Sequence, residues 1–277
     1  MGPIYQDEGS PERTGARVTV TTTAARPVSA DSCHWYFSDG RPCYEVPRAS
    51  GEGMRPTTLA DGRKLNLLPS VTTILRVLNK PALNDWLIEN AVLACLTTPQ
   101  LKDEPIDAFV HRVMHVERVQ DQESIKAMGR GTEIHEALEL LFSTGRGVSP
   151  ELMAWVEPVY TAIKKDSLDA VERILVGEGY AGKCDLIQSL PGEVWLWDFK
   201  STKTLPKSAW LEHRLQLAAY AAALQRTEER HVRTANAYIS TVKCGEFVLC
   251  PHPHWGLAYD AFKCLFQFWC YANEYHP

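Results

Sequence analysis

Alternation of polar and apolar positions predicts two antiparallel strands in the middle of the chain. Residues 184–188 and 194–199 are apolar runs joined by Ser-Leu-Pro-Gly, which is typical of a turn between neighbouring strands. Successive side chains of a strand point to opposite faces, so Asp198 and Lys200 share one face. Asp185 lies on the partner strand, where it can approach Asp198. The pattern therefore predicts two carboxylates and one ammonium at a single edge of a sheet.

Helical spacing and capping residues predict most of the other elements. Ser70 is a good N-cap for one helix, and Pro81 is suited to the first turn of the next. Gly129-Arg130-Gly131 predicts a break before a helix that Thr132 caps. Helices are expected over residues 71–79, from 81, over 104–127, from 132, and over 150–165, 208–226 and 255–274; strands are expected over 171–176, 234–242 and 245–250, with a hairpin over 34–46 that turns at Asp39-Gly40 and a polar loop over 48–66.

This order of elements predicts an α/β fold in three parts. Residues 1–32 are rich in Thr, Ala, Pro and charge without periodicity, so we expect a flexible lead-in. Residues 33–128 are expected to form a hairpin and a helical cover, and residues 129–277 the core. The hydrophobic content of 45% is sufficient for a substantial core, so the cover and the core are expected to form one integrated domain.

The predicted meeting of Asp185 and Asp198 favours a metal site. Converging carboxylates repel unless a cation lies between them, and carboxylate oxygens with water are a usual environment for Mg²⁺. A lysine beside that cation requires an anion in the same site, and a phosphate or a metal-bound hydroxide fits this need. The arrangement suits phosphodiester hydrolysis. The alternative is structural: Asp185 ends a turn, and Asp198 and Lys200 form an ion pair at the end of a strand.

Composition and charge limit the protein classes. The formal charge of −5 argues against a protein that coats nucleic acid without specificity. There is neither an apolar run of membrane-spanning length nor an apolar signal-peptide core, so a soluble, cytoplasmic protein with no membrane partner is expected. The eight cysteines form no C-x-x-C pair, so neither a zinc ribbon nor a redox dithiol is expected. His135 stands in H-E-A-L-E, which lacks the second histidine of a zinc-protease helix.

Five elements in a fixed order resemble a known family. The sequence resembles the PD-(D/E)XK nuclease superfamily, in its RecB-like exonuclease branch. Residues 68–75, with the sequence LPSVTTIL, are similar to the opening of single-strand exonucleases such as the mitochondrial genome maintenance exonuclease and its phage relatives. The residues that carry the resemblance are His135 in GRGTEIHEALE, Asp185 in GYAGKCDLI, Asp198 and Lys200 in WDFK, and Gln216 with Tyr220 in QLAAY.

The resemblance implies a fold and a set of roles. The fold is a restriction-endonuclease-like core, a central mixed sheet flanked by helices, with an N-terminal helical cover. The implied ligands of Mg²⁺ or Mn²⁺ are His135, Asp185, Asp198 and the main-chain carbonyl of Phe199. Lys200 is implied to orient or help deprotonate the attacking water. The implied role of Gln216 and Tyr220 is to hold the phosphate or Lys200.

The resemblance also implies a substrate. An exonuclease of this type hydrolyses single-stranded DNA from an end during replication, recombination or repair, in a bacterial or phage-infected cell, and a single-strand-binding or recombination protein is a possible partner. The helices over residues 70–127 are then expected to cover the threaded strand. Ser70, Thr72 and Arg130 are candidates for phosphate contacts. Trp86 is a candidate for base stacking, with core packing as its alternative.

Other activities of the same fold remain open at this point. One is a duplex-dependent recombination nuclease or an endonuclease, and another is a catalytically silent DNA-binding scaffold. Some related nucleases hold an iron–sulfur cluster with one cysteine before the core and three after it. No close cysteine triplet follows the core here, so an iron–sulfur cluster is not expected.

Overall fold

A computed structural model describes residues 34–78, 81–120, 122–163 and 168–277 of the chain. The predicted flexible segment, residues 1–32, lies outside these ranges. The strands are β1 Trp35–Tyr36, β2 Glu45–Pro47, β3 Met54–Pro56, β4 Leu68–Pro69, β5 Leu168–Val176, β6 Ala181–Leu190, β7 Glu193–Thr202, β8 His231–Ser240 and β9 Phe247–His252. The helices are α1 Leu59–Leu65, α2 Val71–Leu75, α3 Pro81–Thr97, α4 Ile106–Gln120, α5 Gln122–Thr144, α6 Pro150–Ala162, α7 Leu211–Gln225 and α8 Gly256–Ala272.

A five-stranded mixed sheet forms the centre of the fold. Its order is β5-β6-β7-β8-β9, and every pair is antiparallel except β7 with β8. A parallel pair needs a crossover connection, and α7 supplies it between β7 and β8. The predicted α/β class with a central mixed sheet and flanking helices is therefore confirmed. Within the described ranges, no helix is long and apolar enough to cross a membrane.

The two faces of the sheet bury different sets of helices. Val194 and Leu196 of β7 pack with residues of α2, α7 and α8 in one apolar cluster. Trp197 and Phe199 pack with residues of α5 and α6 in the other. Because side chains alternate along a strand, Asp198 follows Val194 and Leu196 to the face that α7 covers. The alternation that fills both cores thus places a charged residue between the sheet and α7.

The N-terminal segment differs from the predicted hairpin and loop. The turn at residues 37–41 forms and Tyr36 bridges Pro42 beyond it, but β1 also pairs with β4, and β2 pairs with β3. The predicted loop over 48–66 contains β3 and α1, so that prediction is wrong. Thr58 and Asp61 cap α1 reciprocally. Gly62 lies inside α1 because a Cβ there would come within 2.7 Å of the Trp35 ring, so its role is close packing.

The predicted helix break at residues 129–131 is also wrong. Helix α5 begins at Gln122 and continues through both glycines to Thr144. A Cβ on Gly131 would lie 2.5 Å from Oγ of Ser201 in β7, whereas a Cβ on Gly129 would meet nothing within 4 Å. Gly131 therefore lets α5 cross close to β7, one turn before His135.

This difference predicts opposite effects for two alanine substitutions in one helix. Alanine is favoured over glycine in a helix interior, so Gly129→Ala is expected to stabilise the protein by roughly 0.5–1 kcal/mol. Gly131→Ala gains the same propensity but crowds Ser201, and we expect a net loss of about 1 kcal/mol. Chemical denaturation of both variants measures the difference. Equal stabilisation by the two substitutions would contradict the close helix–strand contact.

Candidate active site

Strands β6 and β7 separate where the two predicted aspartates lie. Their register runs from Leu190 opposite Glu193 to Leu186 opposite Trp197. Asp185 and Asp198 are the next residue on each strand, and both strands continue beyond them. The carboxylate of Asp185 spans the gap, because its Oδ2 accepts a hydrogen bond of 2.6 Å from the main-chain N–H of Phe199. We call this place the strand fork.

Lys200 completes the predicted group of charges. Its ammonium lies 3.1 Å from Oδ1 and 2.9 Å from Oδ2 of Asp198, whose side chain is only 2% exposed. Burial alone would lower the pKa of Lys200, but the carboxylates of Asp198 and Asp185 outweigh it and raise that pKa. The lysine is therefore held as an ammonium against Asp198.

The surroundings of Asp185 disfavour the ionised form of its carboxyl group. Burial and then the nearby charge of Asp198 raise the pKa of Asp185 to about 7, although Lys200 and the Phe199 N–H oppose this. One lysine thus does not neutralise both aspartates. A second positive charge beside them would favour the ionised form of Asp185.

His135 lies on α5, near the fork. Burial, followed by the charge of Lys200, lowers the pKa of His135, while Asp198 opposes the shift. The imidazole is therefore neutral at neutral pH, which is the form that binds metals. Among the described residues, however, no three His, Cys, Asp or Glu side chains are grouped so that they could hold a metal ion. The structure brings the two aspartates and Lys200 together, and the ligand set that includes His135 stays a prediction.

The donors at the fork fit a hard divalent cation. Mg²⁺ commonly binds through one or two carboxylates, with water and substrate phosphate filling its remaining positions. Asp185 and Asp198 supply two such carboxylates. Burial, followed by the charge of Asp198, raises the pKa of Asp185, and a bound cation would oppose both effects. A cation site built on the two aspartates therefore agrees with the chemistry of the residues present.

Gln216 and Tyr220 lie one turn apart on α7 and face the strand fork. Both are buried, and the Gln216 side-chain amide donates to the Tyr220 hydroxyl at 3.2 Å. Burial raises the pKa of Tyr220 well above its usual value, so the phenol is neutral. The Tyr220 ring packs directly on β6, because a Cβ on Gly182 would lie 2.5 Å from it. This contact fixes α7 over the strand that carries Asp185.

The predicted DNA-contact residues lie at the start of α2, on α3 and on α5. Ser70 is buried and uses its hydroxyl to cap α2 through the Thr73 N–H, while Thr72 is exposed beside it. Arg130 pairs with Glu133 at 3.2 Å and lies over the ring of Trp155. The side chain of Trp86, on α3, lies outside the described residues. The role of all four in binding DNA stays a prediction.

Sequence reasoning missed two residues that contact this site. Asn236 of β8 donates from Nδ2 to Oδ2 of Asp198 at 2.9 Å, and its Oδ1 lies 3.1 Å from Nε2 of His252 in β9. The available signal was the same one that marked Asp198. Asn236 is a polar residue inside an otherwise apolar, buried run of a strand.

The matching family model covers this region of the chain. A model of the PD-(D/E)XK nuclease superfamily matches residues 152–249, about a third of the chain, from α6 to β9. That span contains Asp185, Asp198, Lys200, Gln216 and Tyr220. The match supports the PD-(D/E)XK nuclease superfamily. Its members are nucleases that typically use divalent metals, in agreement with the cation site inferred at the strand fork.

Other comparisons add little to the superfamily match. A solved structure described as "Crystal structure of SSO0001" is similar with 11% identity and a TM-score of 0.29, over 68% of this chain and 86% of that one. No curated protein matches the sequence. The superfamily assignment rests on the family model and on the sheet that carries the fork.

Proposed function

We propose that the chain is a divalent-metal-dependent exonuclease of the RecB-like branch, which hydrolyses single-stranded DNA from an end. The observation that carries the proposal is the strand fork, where Asp185 and Asp198 meet beside the buried ammonium of Lys200. Burying like charges together is costly unless a ligand uses them. A divalent cation and a phosphodiester together supply the charges that this group lacks.

Each side chain at the fork would have a different role in hydrolysis. Asp185 and Asp198 would hold Mg²⁺ or Mn²⁺, with the Phe199 carbonyl and His135 as the further predicted ligands. A bound cation would polarise the scissile phosphate and lower the pKa of an attacking water. Lys200 would orient that water and offset negative charge that develops on the phosphate. This lysine is suited to the role because Asp198 holds it in a fixed position.

Gln216 and Tyr220 would act from the helix above the fork. Their mutual hydrogen bond fixes the Tyr220 hydroxyl over β6, near the two aspartates. As neutral groups they can hold a phosphate oxygen or steady Lys200 without changing the charge of the site. This is the role that the resemblance predicts for them.

Two cations near His34, Arg76 and Lys183, support an anionic substrate. Burial, followed by the charges of Arg76 and Lys183, lowers the pKa of His34, and Lys183 also acts on Asp185. Lys183 is about half exposed and pairs with Glu172. The chain carries a formal charge of −5, so binding of DNA is expected to depend on individual cations such as these rather than on a general positive charge.

Single-stranded ends are proposed from the resemblance of residues 68–75 to the opening of single-strand exonucleases. The test compares linear and circular single strands of one sequence, labelled throughout, with Mg²⁺, with Mn²⁺ or with EDTA. We expect the linear strand to be degraded, the circular strand to survive, and EDTA to stop the reaction. Blunt duplex DNA of the same sequence serves as the matched substrate control.

Each other result would contradict a particular part of the proposal. Degradation of the circle would indicate an endonuclease. Degradation of the duplex alone would indicate a duplex-dependent recombination nuclease. Full activity in EDTA would exclude the cation site, and the absence of cleavage under every condition would indicate a DNA-binding scaffold that has lost its activity.

A further inference from the structure

Asn236 is a buried amide placed directly beside Asp198. In the parallel register of β7 and β8, Asp198 lies opposite Asn236, and Asn236 is fully buried. Its Nδ2 lies 2.9 Å from Oδ2 of Asp198 and 3.4 Å from the main-chain oxygen of the same residue. The amide therefore contacts the carboxylate from the side of the sheet, while Lys200 contacts it along its own strand.

The chemistry of the neighbours fixes which way this amide points. An ionised carboxylate can only accept hydrogen bonds, so the NH₂ group of Asn236 must face Asp198. The amide oxygen then faces Nε2 of His252 at 3.1 Å and can only accept, so Nε2 must carry a hydrogen. His252 is itself held, because its main-chain oxygen accepts from the Thr234 hydroxyl at 2.7 Å. Hydrogen bonds thus run from His252 through Asn236 to Asp198.

Asn236 is costly in this position unless its hydrogen bonds serve a purpose. Asparagine is depleted in strands, and a buried amide costs free energy when it lacks partners. The residues on either side of it, Ala235 and Ala237, pack in the apolar cluster on the opposite face. The hydrogen bonds of the amide connect one residue of the strand fork, Asp198, with the histidine that anchors it, His252.

We propose that Asn236, anchored by His252, is a positioning residue that fixes the plane of the Asp198 carboxylate. The inference rests on the nuclease function proposed above. With Oδ2 held by Asn236, the direction of Oδ1 is fixed as well, so both oxygens would be set in place for a cation bound at the fork. Without the amide, of the contacts in the described part of the chain only those with Lys200 would hold the carboxylate, and its plane would be free to turn about the Cβ–Cγ bond. Residues that orient metal ligands in this way typically affect metal affinity or activity by roughly 10–100-fold when they are replaced.

The first test replaces the amide with an apolar side chain of similar size. Asn236→Leu is expected to lower the affinity for Mn²⁺ alone, measured by titration calorimetry without DNA, by roughly 10–100-fold. We expect kcat on linear single-stranded DNA to fall by a similar factor while KM stays within about twofold, because Asn236 does not reach the DNA. Gln188→Met is the matched control. It removes the buried hydrogen bond from Trp197 on the other face of the sheet and is expected to leave both values unchanged.

The second test acts on the anchor, which is only partly buried and is therefore easier to replace. His252→Gln keeps an N–H near the position of Nε2, whereas His252→Leu removes it. We expect the leucine variant to lose several-fold more Mn²⁺ affinity than the glutamine variant at equal thermal stability. Both substitutions are on β9 and leave β8 unchanged. This comparison therefore tests the anchoring of Asn236 even if Asn236→Leu does not fold.

The outcomes separate this inference from the proposed function. A wild-type protein that binds no Mn²⁺ and cleaves no DNA would overturn the proposed function, and this inference with it. A wild-type protein that does both, with Mn²⁺ affinity and kcat unchanged in folded Asn236→Leu, would overturn the inference alone. Equal affinities of His252→Gln and His252→Leu would show that the histidine is not an anchor.

Discussion

Lys200→Met is expected to lower the rate of DNA hydrolysis by roughly 10²–10⁴-fold, the usual range for a group that moves a proton or stabilises developing charge. Methionine keeps the length and the apolar part of the lysine and removes only the ammonium. The ammonium lies within 3.1 Å of both Asp198 oxygens. Its loss therefore removes the positive charge that the protein itself, rather than a bound cation, supplies at the fork. Initial rates on linear single-stranded DNA at saturating Mg²⁺ measure the effect.

Two controls make this result specific to the site. Lys243→Met removes an exposed lysine that pairs with Glu246, and we expect an unchanged rate because exposed pairs contribute little. Thermal unfolding at saturating Mg²⁺ checks that Lys200→Met remains folded. A folded Lys200→Met enzyme with the wild-type rate would refute the proposed role of the lysine.

Asp198→Ala is expected to abolish hydrolysis as well, but it is a harsher change. It removes the partner of a mostly buried ammonium, and breaking such a pair typically costs about 3–5 kcal/mol. Asp198→Asn keeps the shape of the side chain and still accepts a hydrogen bond. The asparagine variant is therefore the better companion to Lys200→Met when activity is compared with folding.

The central strands were predictable because local sequence determines them. The alternation of residues 194–199 extends over ten residues in β7, and Pro191-Gly192 forms the turn before it. The same alternation placed Asp198 and Lys200 on one face, and the hairpin placed Asp185 beside them. A polar residue in a buried strand is a strong signal because it needs a reason to be there.

The structure differs from the predictions made from sequence where contacts between distant residues determine the local structure. Glycines at 129 and 131 predict a helix break by propensity, but α5 continues through both, and Gly131 lies where a Cβ would crowd Ser201 of the distant strand β7. Strand β1 pairs with β4 in addition to bridging Pro42 after its turn, and no local pattern marks the partner that is distant in sequence. Asn236 meets Asp198 across a crossover that contains α7, so its role depends on the register of two parallel strands.

The strand fork also predicts that part of the site destabilises the protein. A carboxyl whose pKa is higher in the folded state contributes stability below its unfolded pKa, near 4, and this contribution is lost as the pH rises through the folded pKa. Burial and Asp198 raise the pKa of Asp185 to about 7, so its contribution is lost between about pH 4 and pH 7. In metal-free protein, ionised Asp185 is therefore expected to cost stability at neutral and alkaline pH.

Asp185→Asn is accordingly expected to abolish hydrolysis and yet to stabilise the metal-free protein. Relative to wild type, we expect a gain of about 4 kcal/mol at pH 8 that shrinks to about 1–2 kcal/mol at pH 5. Denaturation of both proteins in EDTA at several pH values measures this difference. The histidines are the same in both proteins, so their contributions to the pH dependence of stability cancel when the two free energies of unfolding are subtracted. Asp169→Asn changes an exposed carboxylate of β5 and is the control for a general effect of charge.

Addition of Mn²⁺ to the wild-type protein is expected to reverse that order. A cation between the aspartates favours the ionised form of Asp185, so saturating metal should stabilise wild type by RT ln(1 + [metal]/Kd) and the asparagine variant much less. The gap between the two proteins at pH 8 should then close or change sign. An Asp185→Asn protein that is less stable than wild type in EDTA at pH 8 would contradict the inferred cost of burying ionised Asp185 beside Asp198.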